Sequence, residues 1–242
     1  MNDVWIHEIA RDVQTPLTFG EGSVISEPQW TPDGRALVYA EAGSGDSNTR
    51  LYLHPVDGTG ERELLLTHSV YLYPSSLTPD GQNLILAGAT PGSRWDIYSL
   101  PMDGAGELEP LVQTPFNERD PRLAPDGRFL AYVSDKSGRS EVYLRPFPGP
   151  GREIQASTRG GSMPRWSPSG SELYYREGDT VMVIAFDAAE AEVGLPEKLF
   201  DLEDGAADLA VGPDGRFLMR RVLPEASDSR IWVITNLAEE LR

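Results

Sequence analysis

The stretch that decides the fold runs from Phe116 to Tyr143: Phe-Asn-Glu-Arg-Asp-Pro-Arg-Leu-Ala-Pro-Asp-Gly-Arg-Phe-Leu-Ala-Tyr-Val-Ser-Asp-Lys-Ser-Gly-Arg-Ser-Glu-Val-Tyr. At its centre, Pro125-Asp126-Gly127 is a turn with a mechanism. Proline presets φ for the first corner, aspartate tolerates the second, and glycine takes the left-handed position that closes a bulged hairpin. Short strands are expected on either side, Pro121 to Leu123 entering and Phe129 to Val133 leaving.

Working outward, the same unit recurs. The turn proline stands at Pro32, Pro79, Pro125, Pro168 and Pro213, at intervals of 47, 46, 43 and 45. Two residues later there is always glycine, from Gly34 to Gly215, and five residues later always leucine: Leu37, Leu84, Leu130, Leu173 and Leu218. Two residues before it the side chain is apolar: Trp30, Leu77, Leu123, Trp166 or Val211. A period near 45 with short alternating strands is the signature of propeller blades, each a four-stranded antiparallel sheet. The fold class read from the repeat is therefore an all-β propeller.

With strand A before the turn and B after it, strand C carries an aromatic between aliphatics: Leu51-Tyr52-Leu53, Ile97-Tyr98, Val142-Tyr143-Leu144 and Ile231-Trp232-Val233, with Val181-Met182-Val183 as the variant and Val4-Trp5-Ile6 as a further copy. Strand D is Pro16-Leu17-Thr18, Leu65-Leu66-Thr67, Leu111 to Thr114, Ile154 to Ser157, and Lys198-Leu199-Phe200. Five A strands favour five blades, with residues 16–19 completing the last blade beside Ile231 to Ile234 and so covering a strand edge. The alternative is an incomplete six-bladed ring. Asn236 to Leu241 has helical spacing and good helix formers, so a short C-terminal helix is expected over 236–242. No linker divides the chain, and residues 1–242 are expected to form one domain.

Composition narrows the function. Thirty-eight acidic against twenty-one basic residues give a formal charge of -17, which argues against nucleic acid and anionic membrane surfaces as partners. Without cysteine, disulfides and thiolate metal sites are excluded. Met1 to Thr18 carries Asp3, Glu8 and Asp12 without an apolar core, unlike a signal peptide, and cytoplasmic residence is the default expectation. No segment approaches the ~20 apolar residues of a membrane helix.

The wording of the motifs adds a resemblance. Glu27-Pro-Gln-Trp-Thr-Pro-Asp-Gly-Arg and Met163-Pro-Arg-Trp-Ser-Pro-Ser-Gly resemble the WD40-like repeat of TolB-type propellers. Four further runs, Asp3 to Ile6, Gln113 to Glu118, Glu141 to Gly151 and Asn236 to Leu241, resemble propellers that follow the kinase domain in bacterial serine/threonine protein kinases. The resemblance implies a sensing or protein-interaction propeller, commonly six-bladed, with no catalytic residues to carry over and a fused or associated kinase as partner. The kinase motifs themselves, a glycine-rich phosphate loop, His-Arg-Asp and Asp-Phe-Gly, are missing from this sequence.

A search for chemistry yields little. His7, His54 and His68 stand apart, without metal-ligand spacing, and no Gly-x-Ser-x-Gly elbow occurs. The turn carboxylates Asp33, Asp80, Asp126 and Asp214 are explained by turn chemistry. The acidic loop Asp201-Leu-Glu-Asp-Gly is most simply a solvated connection, at which calcium is conceivable, and no cofactor is expected. Aromatics at repeat positions, Trp30, Trp166, Tyr39, Tyr132, Tyr175, Tyr98 and Tyr143, are read as core. Those off the repeat are more informative: Tyr71 and Tyr73 in a D-to-A connection, and Asn117-Glu118-Arg119-Asp120 in another. Glu27 and Asp120 precede the A-strand prolines in equivalent places, with Arg122 and Arg165 just beyond those prolines. The expected binding face is therefore the D-to-A loop end of the blades, through Glu27, Tyr71, Tyr73, Asn117, Glu118, Arg119, Asp120 and Arg165, with a protein or peptide partner. The competing reading is a propeller enzyme, lactonase- or cyclase-like, with calcium in the channel.

Overall fold

The computed structural model describes residues 3–8, 11–19, 24–42, 48–58, 60–89, 94–104, 106–149, 151–203, 205–221 and 230–233. Every regular element among the described residues is a β-strand, and none of these residues form a helix long and apolar enough to cross a membrane. The expected helix at 236–242 lies outside the described residues.

β1 (Trp5–Glu8) and β2 (Val13–Pro16) pair with each other as a hairpin. The first full sheet is β3 (Val24–Trp30), β4 (Ala36–Ala42), β5 (Thr49–Pro55) and β6 (Glu63–His68). The second is β7 (Tyr71–Leu77), β8 (Asn83–Ala89), β9 (Asp96–Pro101) and β10 (Glu109–Val112). The third is β11 (Glu118–Leu123), β12 (Phe129–Ser134), β13 (Glu141–Pro146) and β14 (Ile154–Gln155). In the fourth, β15 (Ser162–Trp166) and β16 (Glu172–Glu177) lead to a long β17 (Thr180–Asp187), whose far end pairs with β18 (Glu192–Val193) and whose near end pairs with β19 (Glu197–Asp201). Last come β20 (Ala206–Val211), β21 (Phe217–Arg221) and β22 (Arg230–Val233), three strands among the described residues. These are the all-β, four-stranded antiparallel blades of the repeat, with five A strands. The chain clusters into two compact units, Met1–Arg119 and Asp120–Arg242.

The turn behaves as its sequence dictates. Gly127 sits at φ +73°, its N–H donating to the Ala124 carbonyl at 2.8 Å, while the Ala124 N–H donates to the Phe129 carbonyl at 2.8 Å. Gly34, Gly81, Gly170 and Gly215 repeat that conformation, with φ between +68° and +79°. Asp126 Oδ1 accepts the Arg128 N–H at 3.0 Å, closing the loop from within. In the first two turns a threonine adds a second clasp: Thr31 Oγ1 donates to Asp33 Oδ1 at 2.6 Å and accepts from the Ala36 N–H at 3.0 Å.

The B strands β4, β8, β12 and β16 carry buried residues on both faces, because strand alternation sends neighbouring residues to opposite sides. In the first unit Val38 and Ala40 pack with Leu72, Leu84, Leu86 and Leu100 of the second sheet. The intervening Leu37 and Tyr39 instead meet Val4, with Ile6 and Leu17, from the N-terminal hairpin. In the second unit Phe129, Ala131 and Val133 join Leu173, Tyr175, Met182, Ile184 and Phe186. Tyr174, Val181 and Phe200 then face Leu209, Phe217 and Met219. Burying one such side chain is worth about 1.5–3 kcal/mol, so the blades are stable only when stacked.

One core assignment fails. Trp166 is buried, its ring against Phe186 at 5.3 Å and its Nε1 donating to the Arg122 carbonyl at 3.0 Å, but Trp30 is 50% exposed. Trp166 rests on the A strand before its own. β3 is the first A strand of its unit, and the hairpin ahead of it supplies only C- and D-type strands.

Two outcomes check this architecture. Gly127→Val forces a β-branched residue into positive φ and should cost about 1–3 kcal/mol, seen as a lowered melting temperature. Deleting residues 1–19 removes the apolar cover of Leu37 and Tyr39. The shortened chain should melt earlier and bind a hydrophobic dye more strongly.

Candidate functional site

The expected binding residues separate into distinct surroundings. In the first unit, Tyr71 and Tyr73 project from one face of β7 and are 42% and 38% exposed. The Tyr73 ring packs against Trp95, centroids 5.2 Å apart at 60°. The main chain of Trp95 is anchored: its backbone N–H donates to Asn117 Oδ1 at 3.3 Å, and its carbonyl accepts the Glu118 N–H at 2.9 Å. Tyr73, Asn117 and Glu118 thus converge on one tryptophan, with Phe116, 40% exposed, beside Asn117 in the chain. Arg119 and Glu27 are exposed.

Glu118 is buried, with Oε1 accepting from Thr114 Oγ1 at 2.5 Å, so it supports the loop rather than facing solvent. In the second unit, Arg165 is mostly buried and clamps the A strands: Nε donates to the Leu209 carbonyl at 2.8 Å, Nη1 to the Pro164 carbonyl at 2.9 Å, and Nη2 reaches Asp208 at 3.4 Å. Asp120, half-buried, and Glu27 share an unusual backbone, φ +50° and +51°, which Met163 repeats at +52°. All three directly precede an A-strand proline. Register shifts in β3 and β15 mark the same place as a bulge that turns the loop end of the strand.

Sequence reasoning missed Trp95. Its signal was present, since it is the one tryptophan that stands off the repeat. Also missed was a clasp between strands C and D. The Val4 N–H donates to Thr18 Oγ1 at 2.8 Å, and that hydroxyl donates to Asp3 Oδ1 at 3.1 Å. In the third blade the Val142 N–H donates to Ser157 Oγ, which donates to buried Glu141, also held by Arg139 and the Gly160 N–H. In these two places an acidic residue directly before strand C, Asp3 or Glu141, and a hydroxyl ending strand D, Thr18 or Ser157, encode it.

The other titratable candidates are engaged. His7 contacts Asp12 at 3.0 Å, and His68 Nδ1 accepts the Val70 N–H at 3.1 Å. His54 Nδ1 meets the Tyr39 hydroxyl at 3.2 Å, and burial, then Arg62, lowers its pKa. Asp201 accepts Lys198 at 2.5 Å and Thr180 at 2.9 Å, contacts that hold its carboxyl below the usual range. Among the described residues no group of three or more His, Cys, Asp or Glu is placed to hold a metal ion. The loop end of the second blade therefore offers stacking surface and amide hydrogen bonds, the chemistry of binding. Two open grooves, 580 and 410 Å³, lie at the opposite, A–B turn end, one within each unit.

Residues 10–235 match the TolB beta propeller domain family. The chain belongs to that family. It is 26% identical over 197 residues to the uncharacterized protein Atu1656 of Agrobacterium fabrum, covering 76% of this chain and 65% of the relative. Among solved structures, TolB from Acinetobacter baumannii superposes with TM-score 0.72 at 17% identity, over 96% of this chain and 57% of that one. The periplasmic gluconolactonase PpgL of Pseudomonas aeruginosa superposes with TM-score 0.63 at 20% identity, over 95% and 77%. This member of the TolB propeller family thus spans under two thirds of the Agrobacterium protein and of the TolB chain, and the fold it shares is used by enzymes as well.

The Tyr175 hydroxyl, fully buried, has no hydrogen-bond partner among the described residues, whereas Tyr132 at the same repeat position bonds Glu153. Burial, then Glu177 and Glu141, push its pKa up to about 12 from 10.0. The raised pKa contributes stability that is whole below pH 10 and is lost as pH rises through about 12. Tyr175→Phe should flatten that alkaline loss, read as melting temperature against pH, and should leave the neutral-pH melt unchanged or higher.

Proposed function

We propose that this TolB-family propeller is a non-catalytic binding module that takes a protein or peptide at the loop ends of its blades. The observation that carries the reading is the Tyr73–Trp95 pair, an exposed tyrosine ring packed on a half-buried tryptophan whose main chain is anchored by Asn117 and Glu118. Rigid aromatics give large contact area at low entropic cost, and loops on a rigid scaffold are where binding residues concentrate. Tyr71, on the same face of β7, extends the surface, and exposed Arg119 adds a charge nearby in the chain. The likeness to kinase-linked propellers supports a sensor or scaffold role, with a serine/threonine kinase fused or associated.

Panning a random peptide phage library on the full chain tests this. Enriched peptides should bind the wild type and lose about tenfold or more in affinity with Tyr73→Ala, since one well-packed aromatic anchor is worth about 2 kcal/mol. The melting temperature should hold. Peptides that bind the variant equally well would overturn the site. For the enzyme reading, calcium should raise the melting temperature no more than matched magnesium, and δ-gluconolactone should hydrolyse at the background rate. A calcium-specific shift with turnover would replace the binding module by a lactonase.

A further inference from the structure

The turn aspartates are not equivalent. Asp126 pairs with Arg128 at 2.9 Å and Asp214 pairs with Arg216. Asp33 makes no ion pair among the described residues, but Arg35 still helps to lower its pKa, after its hydrogen bonds to Thr31 and the Arg35 N–H. Each arginine comes two residues after its aspartate. In the second turn that position is Gln82. Asp80 Oδ1 is occupied as in the other turns, accepting from Thr78 Oγ1 at 2.5 Å and the Gln82 N–H at 3.0 Å. Its Oδ2, the oxygen that Arg128 Nε takes on Asp126, has no partner among the described residues.

This same Asp80 lines the 580 Å³ groove between the first two turns, which approach until Pro32 Cδ lies 3.7 Å from where a Gly81 Cβ would stand. The rest of the lining is mainly apolar, including Pro32, Leu53, Leu77, Pro79 and Met102, and the first turn adds the opposite charges of Asp33 and Arg35. A groove of this size matches ligand sites of about 300–1,000 Å³. We propose that it docks an arginine-bearing, otherwise apolar segment of a partner protein. The guanidinium takes Asp80 Oδ2 in place of the arginine that this turn lacks, and the aliphatic neighbours lie on Leu53, Leu77 and Met102. A guanidinium suits the position because its Nε geometry already fits the equivalent oxygen in the third turn, and the formal charge of -17 favours a basic partner. This surface is at the opposite strand end from the Tyr73–Trp95 pair.

The test measures fluorescence anisotropy of a labelled Gly-Leu-Arg-Leu-Arg-Leu-Gly peptide with the full chain at physiological salt. Gln82→Arg restores the arginine of the other turns and should fold as well as the wild type, yet bind at least about tenfold more weakly, as should Asp80→Asn. Asp126→Asn and Tyr73→Ala should bind as the wild type does, and replacing both arginines by citrulline should abolish binding. Four results would overturn the proposal: no binding by the wild type, Gln82→Arg binding unimpaired, Asp126→Asn weakening binding as much as Asp80→Asn, or loss with Tyr73→Ala. The last would place the peptide on the loop-end surface.

Discussion

A strand with two apolar faces needs a sheet on each side, and most of this structure follows from that requirement. In β12 all six residues from Phe129 to Ser134 are buried. Phe129, Ala131 and Val133 are covered by the fourth blade, and alternation turns Leu130 and Tyr132 the other way. No single repeat can satisfy such a strand, so the blades must stack, and the N-terminal hairpin is recruited to cover Leu37 and Tyr39. The tyrosines on these strands show the cost of complete burial. Tyr39 and Tyr132 carry their hydroxyls to His54 and Glu153, whereas Tyr175 keeps its hydroxyl buried without a partner.

The geometry of one turn sets the register for everything else. A glycine near φ +70° and an aspartate accepting the N–H two residues on close the A–B hairpin in five repeats, with Ser169 standing in for aspartate in the fourth. With register fixed there, a slip of one residue would exchange the two buried faces. The distortion needed to bring the strands into the loops is placed at the other end. Glu27, Asp120 and Met163 enter the left-handed region just before a proline, conformations that non-glycine residues hold only when their surroundings enforce them.

Strand identity, turn geometry and the periodic core were legible because each rests on local rules: two-residue alternation, turn chemistry and a 45-residue period. What the sequence hid depends on neighbours distant in the chain. Trp30 and Trp166 occupy one repeat position, and only the presence of an A strand ahead of Trp166 separates buried from exposed. Glu118 looked like a surface charge, yet folding brings Thr114 and the Trp95 carbonyl around it. Nor does local pattern announce β18, two residues that pair only because β17 runs on to Asp187. Of the candidate site, Tyr71, Tyr73 and Asn117 could be picked out as departures from the repeat. Trp95 could have been found by the same criterion.

That criterion also explains why the two ends of the strands differ. The A–B turns share one length and the glycine N–H bond to the carbonyl three residues back, so changing them disturbs register. The connections from D to A differ, holding two residues between β6 and β7, five between β10 and β11, and six between β14 and β15. Variation is tolerated there, which is why stacking surface such as Tyr73 and Trp95 can gather at that end without penalty to the core. A turn acquires chemistry of its own by another route, when one of its residues departs from the repeat while the backbone keeps its form. Gln82 does this: it preserves the N–H that Asp80 needs and withholds the guanidinium that would neutralise it.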